Sequence, residues 1–94
     1  MMMQTRIDAL KGTEVLQSGS FQQAVQGFVE TFKPEATYFV PDDGVRSCIF
    51  VFDMQGSHQL PIASEPFFAL GCEVTVRPCM TVEDLQAGLG ASGL

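Results

Sequence analysis

Met3, Thr5 and Ile7 fall on one side of an extended segment near the start of the chain, and Gln4, Arg6 and Asp8 on the other. Successive side chains of a strand point to opposite faces, so Met2–Asp8 reads as a first strand. Ala9–Gly19 holds two glycines and reads as an irregular connector. Then Phe21, Ala24, Val25, Phe28, Val29 and Phe32 recur at i, i+3, i+4, i+7, i+8 and i+11, one apolar stripe at helical period. Ser20 with Gln23 three residues on gives a capping box at its start, and Pro34 ends it, because the residue before a proline is pushed out of helical geometry. Glu35–Val40 is a second strand, Pro41–Gly44 a turn, and Arg46–Met54 a third strand folding back as a hairpin. His58–Leu70 reads as a second helix with Leu60, Ala63, Phe67 and Leu70 on one side, kinked or split by Pro66 and ended by Gly71. Cys72–Met80 alternates as a fourth strand, Thr81 and Asp84 cap a short third helix over Val82–Leu89, and Gly90–Leu94 is expected to fray.

The order β-α-β-β-α-β plus a terminal helix is the ferredoxin-like, α+β arrangement: an antiparallel sheet with both long helices on one face. In this frame the run Ile49, Phe50, Val51, Phe52 raises a difficulty. It is apolar on both sides of a strand, whereas two helices cover only one side of a sheet. Either Phe50 and Phe52 or Ile49 and Val51 would face water, and burial of each is worth about 1.5–3 kcal/mol. Such a run is expected where both faces are covered. The simplest cover is the same face of a second copy across a two-fold axis, so a homodimer is expected.

Composition narrows the class. Ninety-four residues, 46% hydrophobic and 17% charged, suit one globular domain spanning 1–94. Eleven acidic against five basic residues give a net charge of −6. The five basic residues are scattered singly, which argues against nucleic acid as a partner, since phosphate binding rests on Lys/Arg density. The start meets Gln4 and Arg6 too soon for a signal peptide, and no apolar run is long enough for a membrane span. Cys48, Cys72 and Cys79 are odd in number and lack CxxC spacing. They read as reduced cysteines packed like small apolar residues, which implies a cytoplasmic setting.

Two stretches, Lys33–Met54 and Glu65–Leu89, resemble small bacterial proteins of the dimeric α+β barrel superfamily. The resemblance rests on Lys33–Ala36, Tyr38–Phe39, Phe50–Met54, Glu65–Pro66, Pro78–Met80 and Glu83–Leu85, and spans roughly residues 20 to 90. It implies two ferredoxin-like sheets packed face to face in a dimer. The close group brings no activity with it. The wider superfamily includes cofactor-free monooxygenases, haem-degrading enzymes, lactone isomerases and ligand-sensing domains, and borrowing from those would be analogy at the level of fold.

Candidate chemistry is sparse. His58 is the only histidine, a weak candidate general base at a helix start. No His or Cys set has zinc spacing, and the adjacent Asp42 and Asp43 suit a turn better than a calcium loop. No phosphate-binding glycine motif exists, so no metal and no cofactor is expected. Glu65 lies among apolar neighbours; buried, it would serve as an acid or base, and at a helix break it would accept freed N–H groups instead. On the polar face of the sheet, Gln4, Arg6 and Asp8 should meet Glu73, Thr75 and Arg77, with Arg6–Glu73 and Asp8–Arg77 as cross-strand pairs. That face reads either as a salt-bridged rim of the dimer interface or as a pocket. In the pocket reading Arg6 and Arg77 grip a carboxylate or enolate beside Glu73, and Tyr38 or Phe39 forms an apolar wall.

Three functional readings follow. The first is a homodimeric barrel binding a small apolar or weakly acidic molecule between sheet and helices. The second is a cofactor-independent monooxygenase- or isomerase-like enzyme on the same scaffold. The third is a dimerisation or regulatory module without a ligand.

Overall fold

Alternation along Met2–Ile7 sets the centre of the sheet: Met3, Thr5 and Ile7 are buried, while Met2, Gln4 and Arg6 are half-buried. In the computed structural model, which describes residues 1–93, this strand is β1. It is followed by α1 (Ala9–Ser18), α2 (Ser20–Phe32), β2 (Ala36–Asp42), β3 (Val45–Val51), α3 (Gln59–Phe68), β4 (Glu73–Arg77) and α4 (Val82–Ser92). The four strands form one sheet in the order β2-β3-β1-β4, with every neighbouring pair antiparallel. The fold is α+β. The β-α-β-β-α-β order read from the sequence is present, with one helix added after β1.

That added helix corrects the reading of Ala9–Gly19 as irregular. The Asp8 side chain accepts a hydrogen bond from the Lys11 backbone N–H at 3.0 Å, which caps α1. Gly19 closes it with a left-handed φ of 82°, a conformation that glycine adopts without a Cβ penalty. The same Gly19 opens α2, with the Gln23 N–H bonded to its carbonyl at 3.1 Å. The expected Ser20–Gln23 capping box is therefore absent: Ser20 lies inside the helix, and its hydroxyl meets that of Ser18 at 2.9 Å.

Pro66 does not split the second long helix. Gln59–Phe68 is continuous, and Pro66 sits in its last turn, so the missing N–H interrupts little beyond it. Pro61 falls in the first turn, where the N–H that proline lacks would have no intrahelical partner anyway. The Thr81–Asp84 capping box forms in both directions, at 3.1 Å each way. The last helix runs on through Gly90–Ser92 to a Gly93 cap instead of fraying there; Leu94 lies outside the described residues.

Register decides which side of the 49–52 run faces the helices. Met3 pairs with Phe50 and Thr5 with Cys48, and all four are fully or almost fully buried. The Phe28 ring from α2 lies 4.0 Å from Phe50 and 5.0 Å from Phe52, and Phe67 from α3 lies 5.6 Å from Phe50. Phe50 and Phe52 therefore point into the core, and Ile49 and Val51 lie on the opposite face, each half-buried.

Along the open face, Tyr38 of β2, Ile49 of β3, Gln4 of β1 and Thr75 of β4 form one cross-strand row. Among the described residues no helix packs on that side, and Tyr38 stays 58% exposed.

The end of the chain departs from a compact body. The radius of gyration is 15.1 Å, against about 12 Å for a compact chain of this length, and the extents are 51 × 28 × 17 Å. α4 has no substantial packing contact with any other element, and Val82, Leu85 and Leu89 along it are exposed.

Candidate functional site

α1 forms one wall of an open cleft. Because it starts directly after β1 and folds back at Gly19, it leaves a gap between itself, the start of α2 and the hairpin end of the sheet. This open cleft has a volume of about 610 Å³, within the range of roughly 300–1,000 Å³ usual for small-molecule sites. Its floor is Thr5, Ile7 and Cys48; α1 contributes Gly12, Val15 and Leu16. Phe21 of α2 and Phe39 of β2 meet edge to face at 6.4 Å and form the far wall. The β2–β3 hairpin closes one side with Pro41, Gly44 and Val45.

One charged residue lines the cleft. Arg46 pairs with Ile7 across the β1–β3 ladder, so its side chain rises on the helix side of the sheet. Nη1 donates to the Ala9 carbonyl at 3.2 Å and lies 3.4 Å from the Thr13 hydroxyl. Gly12 permits this approach: a Cβ there would stand 3.0 Å from Arg46 Nη1 and 3.2 Å from Ile7 Cγ2. Neither Nε nor Nη2 has a hydrogen-bond partner among the described residues, and no carboxylate there forms an ion pair with Arg46.

The thiol on the floor is inert. Burial pushes Cys48 up to about 12, with the nearby Cys72 adding to the effect. A thiol held protonated is neither a nucleophile nor a metal ligand, so Cys48 acts here as a small apolar side chain. Burial raises Cys72 as well, whereas Cys79 lies exposed beyond β4.

The residues singled out from sequence divide between the two faces. Arg6, Glu73, Arg77 and Tyr38 share the open face, whereas Phe39 lies on the helix side, opposite Cys48 in register. Arg6 forms the expected pair with Glu73, Nη1 to Oε2 at 3.1 Å. Its Nε also lies 2.9 Å from Asp42 Oδ2, an ion pair too poorly aligned to count as a hydrogen bond. The expected Asp8–Arg77 pair does not form. Register places Arg77 opposite Met2, so Arg77 reaches Gln4 Oε1 at 3.5 Å, and Asp8 is committed to capping α1.

The two arginines do not converge. Four register steps of about 3.3 Å each separate Arg6 from the position opposite Arg77, and Arg6 is occupied by its acidic partners. Glu65 is exposed on α3, so the burial that would have made it an acid or base is absent. His58 is exposed at the start of α3, and its side chain accepts no capping hydrogen bond. Neither lines the cleft. No cluster of three or more metal-ligating side chains occurs among the described residues, and no described helix is long and apolar enough to cross a membrane.

Arg46 and Cys48 escaped the sequence reading because the cleft they line exists only once α1 is a helix. The signals were Asp8 ahead of a ten-residue segment and Gly19 after it, a cap and a stop with α1 between them. A smaller depression of about 340 Å³ between α2 and α3 carries no charged residue. Comparison with protein-family models, curated proteins and solved structures yields no significant match.

Proposed function

We propose that this chain is a homodimeric α+β barrel protein of the ferredoxin-like type whose cleft between α1, α2 and the sheet binds a small apolar or weakly acidic molecule. The observation that carries this reading is the 610 Å³ cleft with apolar walls and a single charged lining residue. A few fixed polar groups in an apolar hollow are what orient a small ligand. Binding is favoured over catalysis because the lining residues include no histidine and no carboxylate, and the Cys48 thiol is pushed far above neutral pH. No described lining group is placed to exchange a proton near pH 7.

The dimer rests on two separate uncovered surfaces. Ile49, Val51 and Tyr38 form an apolar band across the open face of the sheet. α4 presents Val82, Leu85 and Leu89, all exposed, and has no substantial packing contact with another described element. An isolated helix of this length is marginal in water, and a second copy would cover both surfaces at once across a two-fold axis. Three free thiols suit the reducing, cytoplasmic setting expected from the sequence.

Native mass spectrometry of freshly purified protein tests both parts. Two chains with a small adduct are the expected result. A bare monomer across the micromolar range would remove the dimer. Bare chains that no apolar or weakly acidic compound stabilises would leave the third reading, a module without a ligand.

A further inference from the structure

We infer that the ligand of the cleft is an apolar monocarboxylate, its acid group held by Arg46 and its apolar body lying between Phe21, Phe39 and the floor of Ile7. This rests on the cleft being the binding site and adds the chemical class of what enters it.

The argument is one of local charge against global charge. The protein carries a net charge of −6, so its surface as a whole repels anions. Yet the residues lining the cleft include no acid and one arginine. Of the five basic residues, Arg6 is held by Asp42 and Glu73, while Arg46 has no ion-pair partner among the described residues.

The geometry also suits a carboxylate. Nη1 is held against the first two turns of α1 by the Ala9 carbonyl and the Thr13 hydroxyl. That orients the guanidinium and leaves the Nε–Nη2 edge for an incoming group. This edge presents two parallel N–H donors, the fork that matches both oxygens of a carboxylate. Arg46 is exposed at the rim of the hollow, so the contact needs no buried charge, and its two-pronged geometry rather than low screening favours the carboxylate. A cation would meet Arg46 with repulsion, and a neutral isostere would lose the charge-assisted part of the contact.

A matched pair of probes tests this: 2-naphthoate and 2-naphthamide, equal in size and shape and differing in charge, titrated into the intact protein by calorimetry at pH 7. The wild type is expected to bind the carboxylate at least tenfold more tightly than the amide. Arg46→Gln should remove that preference while keeping amide binding, and Arg46→Lys should retain part of it. Equal binding of the two probes by the wild type, or a preference surviving in Arg46→Gln, would overturn the assignment to Arg46 and leave the cleft as an apolar site. Binding of neither probe would overturn the cleft itself as the site, and this inference with it. Equal binding by the wild type overturns the inference without any variant. If Arg46→Gln folds poorly, Arg46→Lys carries the assignment: it should bind the carboxylate more weakly than the wild type while binding the amide equally well, and an unchanged ratio would overturn it.

Discussion

The Phe28 ring of α2 lies 4.0 Å from the Phe50 ring of β3, tilted by 30°, and this contact joins helix layer to sheet at the centre of the core. Phe50 is fully buried and also meets Phe67 of α3 at 5.6 Å. Removing it would leave a void between three elements that cannot collapse without moving a helix. Phe50→Ala is expected to cost about 3–5 kcal/mol. Urea unfolding followed by circular dichroism measures it, and a loss below about 1 kcal/mol would mean that this aromatic cluster does not hold the layers together.

The 49–52 run shows how far the sequence carries. Its two apolar sides were legible from the alternation alone. Which side faced the helices was not, because that depends on register: Met3 opposite Phe50 assigns the core side, and only hydrogen bonding between the strands sets it. The stripe from Phe21 to Phe32 gave α2 directly, since an apolar face at period 3.6 has one good solution. α1 was hidden by Gly12 and Thr13, weak helix formers by intrinsic preference. Gly12 is there for packing, to let Arg46 and Ile7 come close. The cleft was illegible for the same reason: its lining comes from five separate elements and their intervening turns, and its defining charge sits on a strand end that the pattern treated as the start of a hairpin.

The buried thiols give a pH dependence. Cys48 is raised from 9.0 to about 12 by burial and by Cys72, which is raised too. The folded state thus favours the protonated thiol more than the unfolded chain does. Their contribution to stability is full below about pH 9 and is lost as pH rises from there toward 12. Cys79, exposed, should be alkylated by iodoacetamide at pH 8 while Cys48 and Cys72 remain unmodified. Mass spectrometry of the alkylated protein, with and without urea, would count the labels. Three labels on the folded chain would contradict the burial of the two thiols.

α4 is predicted to be locally, not globally, stabilised. Thr81→Ala removes half of the reciprocal cap, a change usually worth about 0.5–2 kcal/mol of helix stability. Since α4 has no substantial packing contact with another described element, a dilute sample should lose hydrogen-exchange protection over Val82–Ser92 alone. The urea midpoint of the core should shift by no more than about 0.5 kcal/mol in equivalent stability. A larger global loss would show that α4 docks on its own sheet or helices in solution.

The open face of the sheet yields the sharpest prediction about assembly. Ile49 sits in the middle of the cross-strand row between Tyr38 and Gln4, on the side away from Phe50 and the helices. A charge placed there leaves the hydrophobic core untouched, so Ile49→Glu should fold. In a two-fold dimer the change enters the interface twice, and each buried isoleucine is worth about 1.5–3 kcal/mol. The combined loss of about 3 kcal/mol or more corresponds to at least a hundredfold weaker dimer. Light scattering coupled to size exclusion is expected to show two chains for the wild type and one for Ile49→Glu at the same concentration. Leu10→Glu, on the exposed side of α1, is the control that should stay a dimer. If Ile49→Glu keeps two chains, the copies meet elsewhere. The exposed α4 residues Val82, Leu85 and Leu89 then become the surface to charge next, because α4 has no substantial packing contact with another described element.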